Sequence, residues 1–226
     1  MGTIDIKGDV VDNLYGTFFD YWGIDSVYPK KVKEAIDNDE DGELVLDIAS
    51  NGGDVFAASE IYTMLKASGK KVTVRVQGLA ASAASVIAMA GDVVKMSPTA
   101  QMMIHKASSG LVGNADDMRH NAETLDSVDS AIVNAYKLKT GRDEADILQL
   151  MQNETWMNAQ KAVDMGFADE MMFVNEDEDI ITNSMHSLPS KTALNTFLNM
   201  LAKDKATTNN LKAQKLAILQ EKEMTT

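Results

Sequence analysis

The sequence has no cysteine, and this absence excludes disulfide bonds, thiolate metal sites and a cysteine nucleophile. Histidine is nearly as scarce, with only three residues, so a histidine-rich metal site would need almost all of them, and we expect no metal. Positive charge is also in short supply, because 21 Lys and Arg face 34 Asp and Glu for a formal net charge of -13. Nucleic-acid binding relies on clustered basic residues, so we expect no nucleic-acid partner.

The chain also lacks long hydrophobic segments. No apolar run approaches the roughly 18 residues of a membrane span, and the N-terminal MGTIDIKGDVVDN has no signal-peptide pattern. We therefore expect no membrane partner and a cytoplasmic location. Apolar residues at 45% and charged residues at 24% are typical of a globular protein. We predict one domain over residues 1–175, followed by an acidic and polar tail over 176–226 that is helical or flexible.

A unit of strand, turn and helix occurs twice in succession. The apolar run ELVLDIAS over 43–50 predicts a buried strand, a Gly-Gly turn follows, and helical spacing continues over 54–68. Residues 71–77 then alternate between Val and polar side chains, which predicts a second strand. The small-residue stretch from Gly78 to Gly91 predicts a second helix. Two strands joined by a helix of this length predict an α/β fold with a parallel sheet.

The rest of the chain predicts shorter strands and a helical projection. Helical patterns cover 118–139 and 143–152, and Asn158 is placed to cap a short helix that ends at Gly166. Further strands are predicted over 93–96, 102–105 and 170–174.

Ser82 lies where the second strand gives way to the small-residue helix. Sites in parallel sheets form at the carboxyl ends of the strands, where helix N-termini present free N–H groups. The N–H of Ala83, with a second donor from Gly52 or Gly53, would form an oxyanion hole beside this hydroxyl. The small neighbours of Ser82 would let substrate and backbone come close to it.

A serine nucleophile needs a base and a group that orients the base. His105, at the end of a later strand, is better placed than His120 on a predicted helix or His186 in the tail. Glu154 is our candidate for the orienting acid, and Asp169 is a weaker one.

Four motifs in order resemble the Clp-type serine peptidases, over roughly residues 4–174. The motifs are ASNGGDVFAASEIY, GLAASAAS, MMIHKASSG and ETWMNAQKAVDMGFADE, and the phage and prophage head-maturation branch is the nearest in pattern. The resemblance implies a Clp/crotonase-like fold with a projecting helical handle. It also implies a catalytic Ser82, a basic His105 and an oxyanion hole from Ala83 with Gly52 or Gly53. Glu154 stands where that family generally has Asp.

The resemblance further implies a substrate and an assembly. The substrate would be a polypeptide, added as an extended strand. The substrate-binding edge would comprise Lys106, Ala107, Ser108, Ser109 and Gly110. We expect homo-oligomeric rings, no cofactor, and a role in processing phage capsid or scaffold proteins. The chain starts almost directly at its first strand, which argues against dependence on an ATPase partner.

Three other functions remain open at this stage. A crotonase-type acyl-CoA enzyme would share the fold and the oxyanion donors, but it would use pocket carboxylates and would not need Ser82. A catalytically inactive oligomeric scaffold would use the same assembly and the acidic tail. A Ser-Lys peptidase would need a well-placed lysine, and the sequence shows none.

Overall fold

An eight-stranded sheet organises residues 2–174, which are the residues that this computed structural model describes. The strands are β1 Gly2–Val10, β2 Ser26–Val27, β3 Glu43–Gly53, β4 Lys71–Ala81, β5 Val93–Met96, β6 Gln101–Ile104, β7 Thr155–Asn158 and β8 Glu170–Met171. The helices are α1 Asn13–Trp22, α2 Pro29–Asn38, α3 Val55–Ala67, α4 Ala83–Ala88, α5 Ala115–Thr140, α6 Glu144–Gln152 and α7 Ala159–Asp164.

The sheet runs in the order β2-β1-β3-β4-β5-β8, while β6 pairs with the far end of β4 and with β7. Every strand pair is parallel except β6–β7. The predicted α/β class with a parallel sheet is therefore confirmed.

The two predicted units of strand, turn and helix form the centre of this sheet. Residues 44–48 of β3 are all buried, as expected for a strand covered on both faces. In β4 the three valines of the alternating segment are buried, and the polar residues between them are less so. One of these, Arg75, donates from Nε and Nη2 to Asp47 on β3 at 2.6 and 2.7 Å. This hydrogen bonding raises the pKa of Arg75.

The predicted helix from Gly78 to Gly91 is too long at both ends, since α4 covers only Ala83–Ala88. Residues 78–81 continue β4, with Ala80 paired to Ser50 on one side and to Met102 on the other. Helix α4 begins only at Ala83. Glycine and alanine have low strand propensity, but here the pairing on both sides decides the conformation, so tertiary context overrides the local preference.

Two helices and two strands are additional to the predicted elements. Helix α1, strand β2 and helix α2 follow β1, and β7 lies after the predicted helix over 143–152. Because β7 is antiparallel to β6, its first residue lies at the carboxyl edge of the parallel strands. The predicted terminal strand over 170–174 is shorter, since β8 covers only Glu170–Met171.

Helix α5 forms the projecting handle that the resemblance implied. Its buried residues all lie between Asp129 and Tyr136, whereas its first half contains none. An asparagine cap at Asn114 starts the helix, and Gly141 ends it in the left-handed conformation. The outer half of α5 therefore has no buried residue against the sheet, and it is held by its own hydrogen bonds, its cap and a contact with Ser109.

Among residues 2–174, no helix is long and apolar enough to cross a membrane. Within the same span, no group of three or more His, Asp or Glu side chains is placed to hold a metal ion. The predicted tail over 176–226 lies outside the described residues.

Candidate active site

Ser82 occupies the turn between β4 and α4 in a conformation that few L-residues adopt. Its φ of 53° and ψ of -124° place it outside the regions that sterics favour, at a cost of about 1–3 kcal/mol. The Ser82 N–H donates to the carbonyl of Met103 on β6 at 2.9 Å, which fixes the turn to the neighbouring strand. The side chain is thereby turned outward at the carboxyl edge of the sheet, where it remains partly accessible.

A buried hydrogen-bond chain holds the carbonyl of Ser82. This oxygen accepts from the N–H and the hydroxyl of Ser85, at 2.9 and 2.6 Å. The Ser85 Oγ also lies 2.8 Å from the Tyr136 hydroxyl on α5. Because a carbonyl oxygen can only accept, the Ser85 hydroxyl donates its hydrogen bond to the Ser82 carbonyl. The Tyr136 hydroxyl must therefore be the donor to the Ser85 Oγ. Burial raises the pKa of Tyr136, so this donor stays protonated.

His105 directly follows β6, and its Nε2 lies 2.7 Å from the Ser82 Oγ. For Nε2 to accept the hydroxyl proton, the ring proton must be on Nδ1. His120, the alternative that the sequence disfavoured, lies exposed on α5. The structure thus brings together the serine and the histidine that the sequence singled out.

The glycine pair at the end of β3 lies against this turn. A Cβ added to Gly52 would lie 2.6 Å from the Ala81 carbonyl oxygen and 2.8 Å from the Ala83 nitrogen, so only glycine fits beside the Ala83 N–H. The Gly52 N–H donates to the Ser50 Oγ at 3.1 Å. Gly53 and Ala83, by contrast, both line the pocket that contains Ser82. Of the two glycines, Gly53 is therefore the better candidate for the second oxyanion donor.

Glu154 and His105 both adjoin the last residue pair of the β6–β7 ladder. The antiparallel register pairs Ile104 with Thr155, and these are the chain neighbours of His105 and Glu154. The Glu154 backbone has a φ of 46°, another left-handed conformation. Its exposed carboxylate accepts from the Trp156 indole Nε1 at 3.2 Å, and no hydrogen bond joins it to His105 among the described residues.

Asp169, the weaker candidate for the acid, is committed elsewhere. Its Oδ2 accepts from the Val94 N–H and from the Lys139 ammonium, each at 2.6 Å. These bonds tie the last turn of α5 to the edge of the sheet near β5. The structure therefore gives Asp169 an anchoring contact rather than one with the histidine.

The predicted substrate edge is divided between the pocket and the handle. Ala107 and Ser108 line the pocket, whereas Ser109 exchanges hydrogen bonds with Asn121 on α5. Lys106 lies 3.5 Å from Asp129, and the Ala107 N–H donates to the same buried carboxylate at 2.7 Å. Gly110 has open space beside its Cα.

Sequence reasoning missed two residues near this site, Asp129 and Tyr136. Each is buried on α5 and contacts a segment more than 20 residues away in the chain. The only local signal was their spacing of seven along one helix face, which also fits an ordinary core position.

The pocket has a volume of about 340 Å³. It is lined by Ser82, Ala83, Gly53 and His105, together with Val86 of α4 and with Ile132 and Tyr136 of α5. A serine hydroxyl bonded to an imidazole, at the carboxyl edge of a mostly parallel sheet, is the arrangement of a serine hydrolase.

Comparison with known proteins specifies the family. The Clp protease family matches residues 33–175, so this chain belongs to that family. Proteins of the family are serine peptidases that assemble into rings and cleave polypeptides. The match leaves β1 and α1 outside the matched segment.

Several proteolytic subunits are similar to this chain. The ATP-dependent Clp protease proteolytic subunit 1 of Chlamydia abortus is 32% identical over 138 residues, which are 59% of this chain and 72% of that protein. The proteolytic subunit of Deinococcus radiodurans is 29% identical over 132 residues, covering 58% and 65%. Proteolytic subunit 2 of Thermobifida fusca is 32% identical over 136 residues, covering 59% and 67%.

Proposed function

We propose that this protein is a serine endopeptidase in which Ser82 is the nucleophile and His105 the general base. The observation that carries the proposal is the 2.7 Å contact between the Ser82 Oγ and the His105 Nε2, made at a strained turn. A hydroxyl becomes a competent nucleophile when an adjacent base can take its proton. The strain fits this role, because an outward-facing serine in such a turn is preorganised for attack.

The reaction proceeds through an acyl-enzyme. The Ser82 Oγ forms a bond to the scissile carbonyl carbon while its proton moves to the His105 Nε2. The carbonyl oxygen becomes an oxyanion that accepts from the N–H groups of Ala83 and Gly53. When the C–N bond breaks, the imidazolium returns the proton to the leaving amine. Water then attacks the ester by the same route and releases the acid.

Glu154 is proposed as the third member of the triad. It adjoins His105 at the end of the β6–β7 ladder, and we propose that its carboxylate turns toward Nδ1 when substrate binds. Its role would be to hold the proton on Nδ1 and to stabilise the imidazolium. This requires its side chain to leave Trp156, and that rearrangement is part of the proposal.

The proposed substrate is an extended polypeptide bound along residues 106–110, in a ring of identical subunits. A role in capsid or scaffold processing within a phage rests on the motif resemblance alone. It is tested by incubating the protein with a capsid or scaffold protein, and no cleavage would count against it. The cytoplasmic location and the independence from an ATPase remain predictions.

The acyl-CoA alternative gains no support from the pocket. Such an enzyme needs a pocket carboxylate, and among the described lining residues the only one is Asp54. Its Oδ1 caps α3 by accepting from the N–H groups of Phe56 and Ala57. The Ser-Lys alternative is similarly weakened, because Lys106 pairs with Asp129.

The experiment that tests the proposal is labelling with a fluorophosphonate, which reacts with activated serines. We expect one adduct by intact mass on the wild type and none on Ser82→Ala or His105→Ala. Ser59→Ala is the matched control, since Ser59 is an exposed serine on α3 that lies outside the pocket. No adduct on a folded, oligomeric wild type would overturn the proposal and favour the inactive scaffold.

A further inference from the structure

Helix α1 exposes an unusual number of aromatic side chains. Five of its ten residues are aromatic, whereas aromatic residues make up 6% of the whole chain. Tyr15, Phe18 and Trp22 are each more than half exposed, and Tyr21 is 82% exposed. The rings contact one another in a continuous series along the helix. Contiguous apolar surface of this kind marks a binding site more often than it occurs by chance.

The opposite face of α1 is fixed, so the aromatic face is held in place. Gly16 packs so closely on the Tyr28 ring that an added Cβ would lie 2.1 Å from it. The Tyr28 hydroxyl donates to Asp20 at 2.5 Å, which raises the pKa of Tyr28 to about 12 and keeps this donor protonated. Asp12 caps the first turn by accepting from the Tyr15 N–H at 2.8 Å. A rigid surface loses little entropy on binding.

One end of helix α1 and the pocket of Ser82 are joined by shared lining residues. A hollow of about 380 Å³ is lined by Tyr15, Phe19, Gly53 and Asp54, and the last two residues also line the Ser82 pocket. The Asp54 N–H donates to the Val10 carbonyl at 2.8 Å, which holds the end of β1 against the glycine pair. A polypeptide that leaves the Ser82 pocket across Gly53 therefore enters this hollow.

The charges around the hollow restrict what can occupy it. Asp9, Asp12 and Asp54 form its polar rim, and no Lys or Arg lines it. An acidic occupant would be repelled, whereas an apolar side chain with a basic neighbour would satisfy both the rings and the rim.

We propose that this hollow is a substrate subsite for a bulky apolar side chain, preferably next to Lys or Arg, in the polypeptide being cleaved. The inference rests on the proposed peptidase function and names part of its substrate preference. Helix α1 lies outside the segment that matches the Clp protease family, so the family match does not by itself assign this hollow. We assign the substrate rather than a second subunit as its occupant, because the hollow shares Gly53 and Asp54 with the pocket of Ser82.

The test compares matched variants within α1. Tyr15→Ala and Phe19→Ala remove rings that line the hollow, while Tyr21→Ala and Phe18→Ala remove rings of the same types that do not. Two fluorogenic peptides are used. The first carries Phe-Lys on both sides of the scissile bond, and the second carries Gly-Ser at the same positions. We expect Phe19→Ala to lower kcat/KM about tenfold for the Phe-Lys peptide and to leave the Gly-Ser peptide unchanged. Both control variants should match the wild type on both peptides.

A binding measurement separates this inference from the peptidase proposal. In the background of Ser82→Ala, fluorescence anisotropy reports the Kd of the uncleaved Phe-Lys peptide, and Phe19→Ala should raise that Kd about tenfold. If Phe19→Ala lowered kcat/KM equally for both peptides, or for neither, the proposed subsite would be wrong. A change in sedimentation coefficient on mutating Tyr15 or Phe19 would instead assign the face to contacts between copies. Failure of the peptidase proposal alone would appear as absent fluorophosphonate labelling with peptide binding intact.

Discussion

On one side of His105, the Ser82 hydroxyl lies 2.7 Å from Nε2. The Ser82 backbone is held by Met103 and by Ser85, which in turn bonds to Tyr136. On the other side, the Glu154 carboxylate is exposed and bonds to Trp156. The first side is built from backbone and buried groups, so it loses little freedom when substrate arrives. The second depends on one flexible side chain with a competing partner. In the proposed mechanism, the fold would therefore preorganise the Ser82 nucleophile more firmly than the orientation of His105.

The largest loss of kcat should follow removal of His105, which lies between Ser82 and Glu154 in the proposed triad. We expect His105→Ala to lower kcat by about 10⁴-fold or more, because the Ser82 hydroxyl then has no base. Turnover of a fluorogenic peptide measures this, with His120→Ala as the control since His120 lies exposed on α5. Comparable losses in the two histidine variants would contradict the assignment of His105.

Substitution of the acid should have an intermediate effect. We expect Glu154→Gln to lower kcat by about 10- to 100-fold, less than the loss of His105, because the resting carboxylate is not bonded to the imidazole. Trp156→Phe removes the competing indole donor and should leave kcat equal or raise it. If Glu154→Gln cost as much as His105→Ala, the contrast between the two sides would not hold in the working enzyme.

The hydrogen-bond chain behind the nucleophile should have a smaller effect. Ser85→Ala and Tyr136→Phe each remove a bond that steadies the Ser82 carbonyl, so we expect kcat to fall about tenfold with KM unchanged. The double variant should lose little more than Ser85→Ala alone, because Tyr136 acts through Ser85. Additive losses in that double-mutant cycle would show that Tyr136 acts independently, through the pocket wall.

The smallest effect concerns stability and lies far from the pocket. Lys70 donates to the Asp39 carboxylate at 2.8 Å and lowers the pKa of Asp39 from its ordinary value of 3.8. A depressed pKa contributes stability that is present above the ordinary value and is lost as the pH falls through the folded-state value. We therefore expect Asp39→Asn to lower Tm slightly at pH 7 and to weaken its decrease below about pH 4. A Tm profile identical to the wild type would refute this.

The sequence predicted the two central strands because their apolar patterns are local and follow the period of a strand. It missed the strand character of residues 78–81, because their conformation is set by β3 and β6 rather than by alanine and glycine themselves. It also missed α1, whose aromatic residues do not mark one buried face. Ser82 and His105 were identified from motifs, and the structure places them in contact.

The details of the site could not be read in the same way. The sequence pattern around Tyr136 does not predict its contact with Ser85, which lies 51 residues earlier in the chain. The position of Glu154 followed from its motif, but its conformation depends on a competition between His105 and Trp156 for one carboxylate. Such competition is decided by rotamers and solvent exposure, which leave no trace in residue spacing.

In mechanical terms, helix α5 is a beam that is supported by the rest of the domain mainly in its C-terminal half. Lys139 clamps its last turn to Asp169, its first half stands free of the sheet, and Asp129 lies at the root where support begins. A sideways load on the free half therefore bends the helix at that root. Ala107, two residues after His105, is tied to this root because its N–H is bonded to Asp129. A load on the outer turns would therefore be transmitted toward the proposed base without any contact with Ser82.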